Sequence, residues 1–69
     1  MTDGAALRDW IKNQGFTLKY VSSRLGITPQ GLGRKLDGET EFKASEIAVF
    51  VADLGMPAQT RDFIFFRHM

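Results

Sequence analysis

The stretch from Thr17 to Gly38 constrains this chain more than any other, because a glycine and a Thr-Pro pair cut it into two short helical segments. It reads Thr17-Leu-Lys-Tyr-Val-Ser-Ser-Arg-Leu-Gly-Ile-Thr-Pro-Gln-Gly-Leu-Gly-Arg-Lys-Leu-Asp-Gly38. Val21 and Leu25 share one face of a first helix, and Leu32 and Leu36 share one face of a second, because residues four apart lie on the same side. Gly26 supplies the tight turn, and Ile27 plugs the corner. Thr17 and Thr28 are N-cap residues, and Pro29 fits the first turn, where its missing N–H costs nothing. Asp37-Gly38 is a stop signal.

The remaining chain follows the same punctuation. Thr2 or Asp3 caps a first helix, in which Leu7, Trp10 and Ile11 form an apolar stripe. Gly15 ends it, and Phe16 precedes the Thr17 cap as a hydrophobic staple. A fourth helix is expected over about Lys43–Leu54, burying Ile47, Phe50, Val51 and Leu54. Gly55-Met56-Pro57 breaks it. A short fifth helix follows from about Ala58 to Phe65, and Phe65-Phe66 is also read as a short extended tail. No run alternates long enough for a convincing strand. The expectation is an all-α, compact bundle of four to five short helices, a single domain over 1–69, with a helix-turn-helix at about 17–37 and an apolar tail at 63–69.

Size and composition narrow the class. A chain of 69 residues without cysteine has neither a disulfide nor a thiolate metal site, so its stability must come from helix packing or association. The segment Met1-Thr-Asp-Gly-Ala-Ala lacks the basic and apolar regions of a signal peptide, and no stretch approaches a membrane span. The expected location is the cytoplasm. Catalysis finds no support: there is one histidine, no evident pair of buried carboxylates and no phosphate-cradling loop. Gly31-Leu-Gly33 follows no strand and lacks a third glycine, which excludes a dinucleotide site. His68 has no companion ligand. No cofactor and no metal are expected.

Two short helices joined by a glycine turn present a second helix whose first turn can enter a DNA major groove. The charge distribution agrees. Lys19, Arg24, Arg34 and Lys35 against Asp37 give the segment a local net of +3, leaving −2 for the rest of a chain whose total is +1. A basic patch on a near-neutral domain is the footprint of a nucleic-acid binder or simply a solvated face. Gly31 and Gly33 are the odd feature, since each costs a helix about 1 kcal/mol relative to alanine. One explanation is close approach of the helix backbone to another surface.

Gly26-Ile27-Thr28-Pro29-Gln30-Gly31-Leu32-Gly33-Arg34-Lys35-Leu36-Asp37-Gly38 resembles the recognition segment of lambda-repressor-like, Cro- and repressor-type DNA-binding domains. The wider pattern of Leu36–Phe42, Lys43-Ala-Ser-Glu46-Ile47, Leu54 and Ile64-Phe65-Phe66 resembles small phage and prophage regulators of that superfamily. The resemblance implies base readout by Thr28, Pro29, Gln30 and Arg34. It implies phosphate contacts from Thr17, Lys19, Lys35 and Lys43. The chain departs from the pattern at Leu18, where a phosphate-touching glutamine is usual, and mildly at Ser22, where a small residue such as alanine is usual.

The residue chemistry suits those roles. Arginine forks onto guanine and glutamine pairs with adenine, each discriminating by about 1–3 kcal/mol. Gln30 and Arg34 are four apart and share a face. Lysines serve phosphate as flexible point charges. Tyr20, beside Lys19 and Arg24, reads as a half-buried structural tyrosine. Trp10, Phe16, Phe42, Phe50 and Phe63 read as core. Phe63-Ile64-Phe65-Phe66 carries more apolar surface than one helical face can bury. Either this tail folds back over the core, or Phe63, Phe65 and Phe66 meet a second copy or a partner protein. Two functions follow as expectations. The first is a sequence-specific transcriptional regulator of phage Cro-repressor type binding double-stranded operator DNA, with homodimerisation bringing two copies to paired half-sites. It would be nucleoid-associated when bound. The second is a helix-turn-helix interaction module that binds and modulates a partner repressor.

Overall fold

A computed structural model describes residues 2–66, and all regular structure among them is helical. The helices are α1 (Gly4–Asn13), α2 (Leu18–Leu25), α3 (Pro29–Leu36), α4 (Ala44–Ala52) and α5 (Ala58–Arg61). A π-helical turn, Asp62–Phe66, continues directly from α5. His68 lies outside the described residues, as does the tail beyond Phe66. No helix of the described chain is long and apolar enough to cross a membrane.

Local chemistry sets the element boundaries. The Asp3 side chain accepts from the Ala6 N–H at 3.0 Å, Thr17 Oγ1 from the Tyr20 N–H at 3.0 Å, and Thr28 Oγ1 from the Gly31 N–H at 3.0 Å. Each cap satisfies a helix-start donor that would otherwise lack a partner. Gly26 ends α2 at φ 73°, a left-handed conformation that residues with a Cβ rarely adopt. The turn it makes lets the Ile27 N–H donate to the Ser22 carbonyl at 3.0 Å, closing the corner between α2 and α3.

The core is one cluster. Leu7 and Ile11 of α1, Val21 of α2, Leu32 and Leu36 of α3, and Phe50 of α4 meet Phe42, Leu54, Met56, Ile64 and Phe65. Ala6, Trp10, Phe16, Leu18, Leu25, Ile27 and Ile47 pack against its edge. Aromatic rings fill much of it: Phe42 lies 5.9 Å from Phe50 and 5.4 Å from Phe65 by ring centroids, both edge-on. Such edge contacts add about 0.5–1.5 kcal/mol beyond burial.

Two expectations are corrected at the carboxyl end. Phe65-Phe66 is not an extended tail but part of the π turn. Phe63 is not core, being 45% exposed. The π turn widens the helix and places Ile64 and Phe65, adjacent in sequence, in the interior together, while Phe63 and Phe66 point outward. Two further residues of the expected α4 face, Ile47 and Val51, are only partly buried, and the buried acidic residue Glu46 takes up part of the inner surface.

The two ends of the described chain are tied together. The Asp3 N–H donates to the Ile64 carbonyl at 2.8 Å. Beside it, Gly4 passes so close to α3 that a Cβ at that position would lie 1.8 Å from the Leu36 carbonyl oxygen.

Candidate nucleic-acid interface

Helix α3 is seated by its inner face and free on its outer one. Leu32 and Leu36 are buried, so the helix cannot roll without exposing them. Thr28, Pro29, Gln30 and Arg34 are all exposed. Neither Gln30 nor Arg34 has a side-chain hydrogen bond or ion pair among the described residues. With about 100° per residue, their directions from the axis differ by only about 40°, so they form a single outward ridge. Thr28 Oγ1 is already used in capping. Its exposed hydroxyl retains a donor and further acceptor capacity.

The cations of α2, α3 and the start of α4 divide into free and committed groups. Lys19 and Lys43 are exposed and unpaired among the described residues. Thr17 is exposed at the start of α2, with its hydroxyl capping that helix. Lys35 is a correction. Instead of reaching out toward phosphate, its ammonium turns inward, donating to the Glu41 carbonyl at 2.9 Å and pairing with a Glu46 carboxylate oxygen at 3.1 Å. The side chains of Lys35 and Glu46 are 11% and 7% exposed, and the ammonium lies 5.7 Å from the Phe42 ring centroid. The same Glu46 oxygen accepts the Lys43 N–H at 2.8 Å, capping α4. One carboxylate thus joins the end of α3 to the start of α4.

Arg24 is committed as well. Its Nε donates to Asp53 at 2.7 Å, and this hydrogen bond and the Asp53 charge hold the guanidinium above its usual pKa. Asp37 in turn pairs with Arg8 at 2.9 Å. The basic segment is therefore less basic than its composition: two of its four cations are paired with acids outside it, leaving Lys19 and Arg34, with Lys43 joining from α4. Tyr20 is more open than expected, 46% exposed, with its ring centroid 5.3 Å from that of Phe16.

The departures at Leu18 and Ser22 have structural explanations. Leu18 packs against the core edge. Ser22 is buried, and its hydroxyl donates to the Lys19 carbonyl at 2.9 Å, so it stands in for a small apolar residue without an unsatisfied group.

A second surface lies on the outer side of α4. Phe42, Ala44, Ile47, Ala48, Val51 and Ala52 line an open apolar groove of about 580 Å³, completed by Arg61 and Phe66. The Arg61 guanidinium lies 5.9 Å from the Phe66 ring centroid. Of the three aromatic residues expected to meet a partner, Phe66 is 41% exposed on this groove and Phe63 is exposed elsewhere, beside Trp10 and Thr60. Phe65 is a correction: it is 3% exposed and belongs to the core, where it contacts Phe42 and Phe50.

Sequence reasoning missed two residues that set this geometry. Glu46 carried a signal, since a glutamate three residues after a helix start is half of a capping box. Gly4 carried none. Among the described residues no cluster of potential metal ligands occurs. Comparison with known proteins yields nothing further: no family model matches the chain, and no curated protein or solved structure matches it.

Proposed function

We propose that this chain is a sequence-specific DNA-binding regulator of transcription, of the Cro and repressor type, acting in the cytoplasm on double-stranded operator DNA. It is a binding protein, not an enzyme. The observation that carries this reading is the ridge of Gln30 and Arg34, exposed and without partners among the described residues, on a helix whose opposite face is locked into the core. A rigid helix with two long polar side chains one turn apart on its outer face, Gln30 in the first turn and Arg34 in the last, suits direct readout in a major groove. Lys19, Lys43 and the Thr17 hydroxyl, all exposed, are the phosphate contacts in this reading. Lys35 is a positioning residue in this scheme, holding α3 to α4 through Glu46. One module of this size makes few contacts, so specific binding would use two copies on half-sites about one helical turn apart.

A second reading, a module that binds a partner repressor, is favoured by one observation: the apolar groove on α4 with Phe66 at its edge. The two separate in one experiment. The purified chain is incubated with a random-sequence DNA library at several salt concentrations, and bound sequences are recovered. A DNA reader enriches a motif and loses affinity log-linearly with salt. Arg34→Ala then relaxes preference at one base position. No enrichment at low salt, together with binding to a repressor protein, would establish the second reading instead.

A further inference from the structure

Six of the seven glycines in this chain answer an internal demand. Four stand at positive φ. A Cβ on Gly4 would strike the Leu36 carbonyl, and one on Gly31 would crowd the capping Thr28 Oγ1 at 3.2 Å. Gly33 answers none. It lies in mid-helix without a positive φ, and beyond its chain neighbours and the adjoining backbone of its own helix an added Cβ would find no atom within 4 Å. The fold would be better served by alanine, since glycine weakens a helix interior.

Its direction supplies the missing demand. At about 100° per residue, Gly33 and Gly31 fall on opposite sides of the Gln30–Arg34 ridge, each about 80° from its centre. The ridge therefore rises from two shoulders that carry no side chain. A helix with side chains is about 10–12 Å across, and the major groove is about 12 Å wide, so the shoulders decide how deep the helix can sink.

We infer that Gly33 is a specificity-determining position, where the backbone of α3 comes into contact with the wall or floor of the DNA groove and so lets Gln30 and Arg34 reach the base edges. This rests on the DNA reading above. The shoulder at Gly33 is the cleaner of the two to probe, because no internal contact is disturbed there.

The test compares the wild-type chain with Gly33→Ala and Gly33→Leu. Each is measured for melting temperature, for affinity to the motif selected by the wild type, and for affinity to an unrelated duplex. Gly33→Ala should melt about 4–8 °C higher, as expected for removing a mid-helix glycine in a small domain. Its affinity for the selected motif should fall at least tenfold and that of Gly33→Leu further, while affinity for the unrelated duplex, held through phosphates, changes less than threefold. Equal affinity of wild type and Gly33→Ala for the selected motif overturns the inference and leaves the DNA reading intact. A lower melting temperature for Gly33→Ala overturns it too, because the glycine then serves the fold. If the wild type selects no DNA, both the inference and the reading beneath it fall.

Discussion

Replacing Gly4 by alanine is the sharpest test of how α1 crosses α3. The new Cβ would lie 1.8 Å from the Leu36 carbonyl oxygen and 2.9 Å from its carbon. Ordinary contact begins near 3.4 Å, so α1 and α3 must separate by about 1.6 Å. The obstacle is backbone at the last residue of a helix, which has no rotamer to change. Separation lifts Leu7 and Ile11 from a core in which they are now 0% and 2% exposed. A gap of about 0.5–1 Å already forfeits a quarter to a half of each dispersion contact. Overpacking of this kind costs about 1–3 kcal/mol. Strain on the neighbouring Asp3 N–H to Ile64 bond adds about 1 kcal/mol, and alanine's helix preference returns less than about 1 kcal/mol. The net loss is about 2 kcal/mol, a melting temperature lower by about 8–16 °C for a domain of this size. Thermal and urea unfolding followed by circular dichroism measure it, with the m-value checking that the transition stays two-state. If Gly4→Ala melts within about 2 °C of the wild type, the helices do not approach as closely as described, and the seating of α3 needs another explanation.

Lys35→Ala should cost about 2–3 kcal/mol in urea unfolding, because it strips the pair from a nearly buried Glu46 that keeps only the Lys43 N–H; a loss below about 0.5 kcal/mol would return Lys35 to the surface. Lys43→Ala, by contrast, should weaken all DNA sequences alike and make the log–log salt slope shallower by about 0.9, with motif preference unchanged. A change in base preference instead would make Lys43 a reader. Phe66→Ser removes one edge of the α4 groove and should alter stability by less than about 1 kcal/mol, since the ring is 41% exposed. Under the protein-interaction reading it abolishes self-association or repressor binding in sedimentation; an unchanged profile removes the groove from that role.

The parts of the fold written in nearest neighbours were legible. Thr17 and Thr28 announce helix starts because their hydroxyls meet an N–H three residues on, and Gly26 announces the turn because its φ is positive. Leu32 and Leu36 were readable as the inner face of α3, which makes Gln30 and Arg34 its outer face. What escaped depends on contacts through space. Lys35 looks like any solvated lysine until Glu46, eleven positions later, is brought to 3.1 Å. Arg24 looks like part of a basic patch until Asp53 neutralises it. Phe65 and Phe66 differ only in which way a π turn points them, and no periodicity of 3.6 foretells a wider turn.

The Asp3 to Ile64 bond carries a consequence for synthesis. Leu7 and Ile11 find Ile64 and Phe65 in one interior, so the core lacks a wall until nearly the whole described chain has left the ribosome. Cooperative folding is thereby postponed until Ile64 and Phe65 have emerged. A nascent chain arrested before position 64 would leave Leu7, Ile11 and Phe50 open to chaperones and proteases, and messages truncated there should yield fragments that are degraded instead of partly active ones.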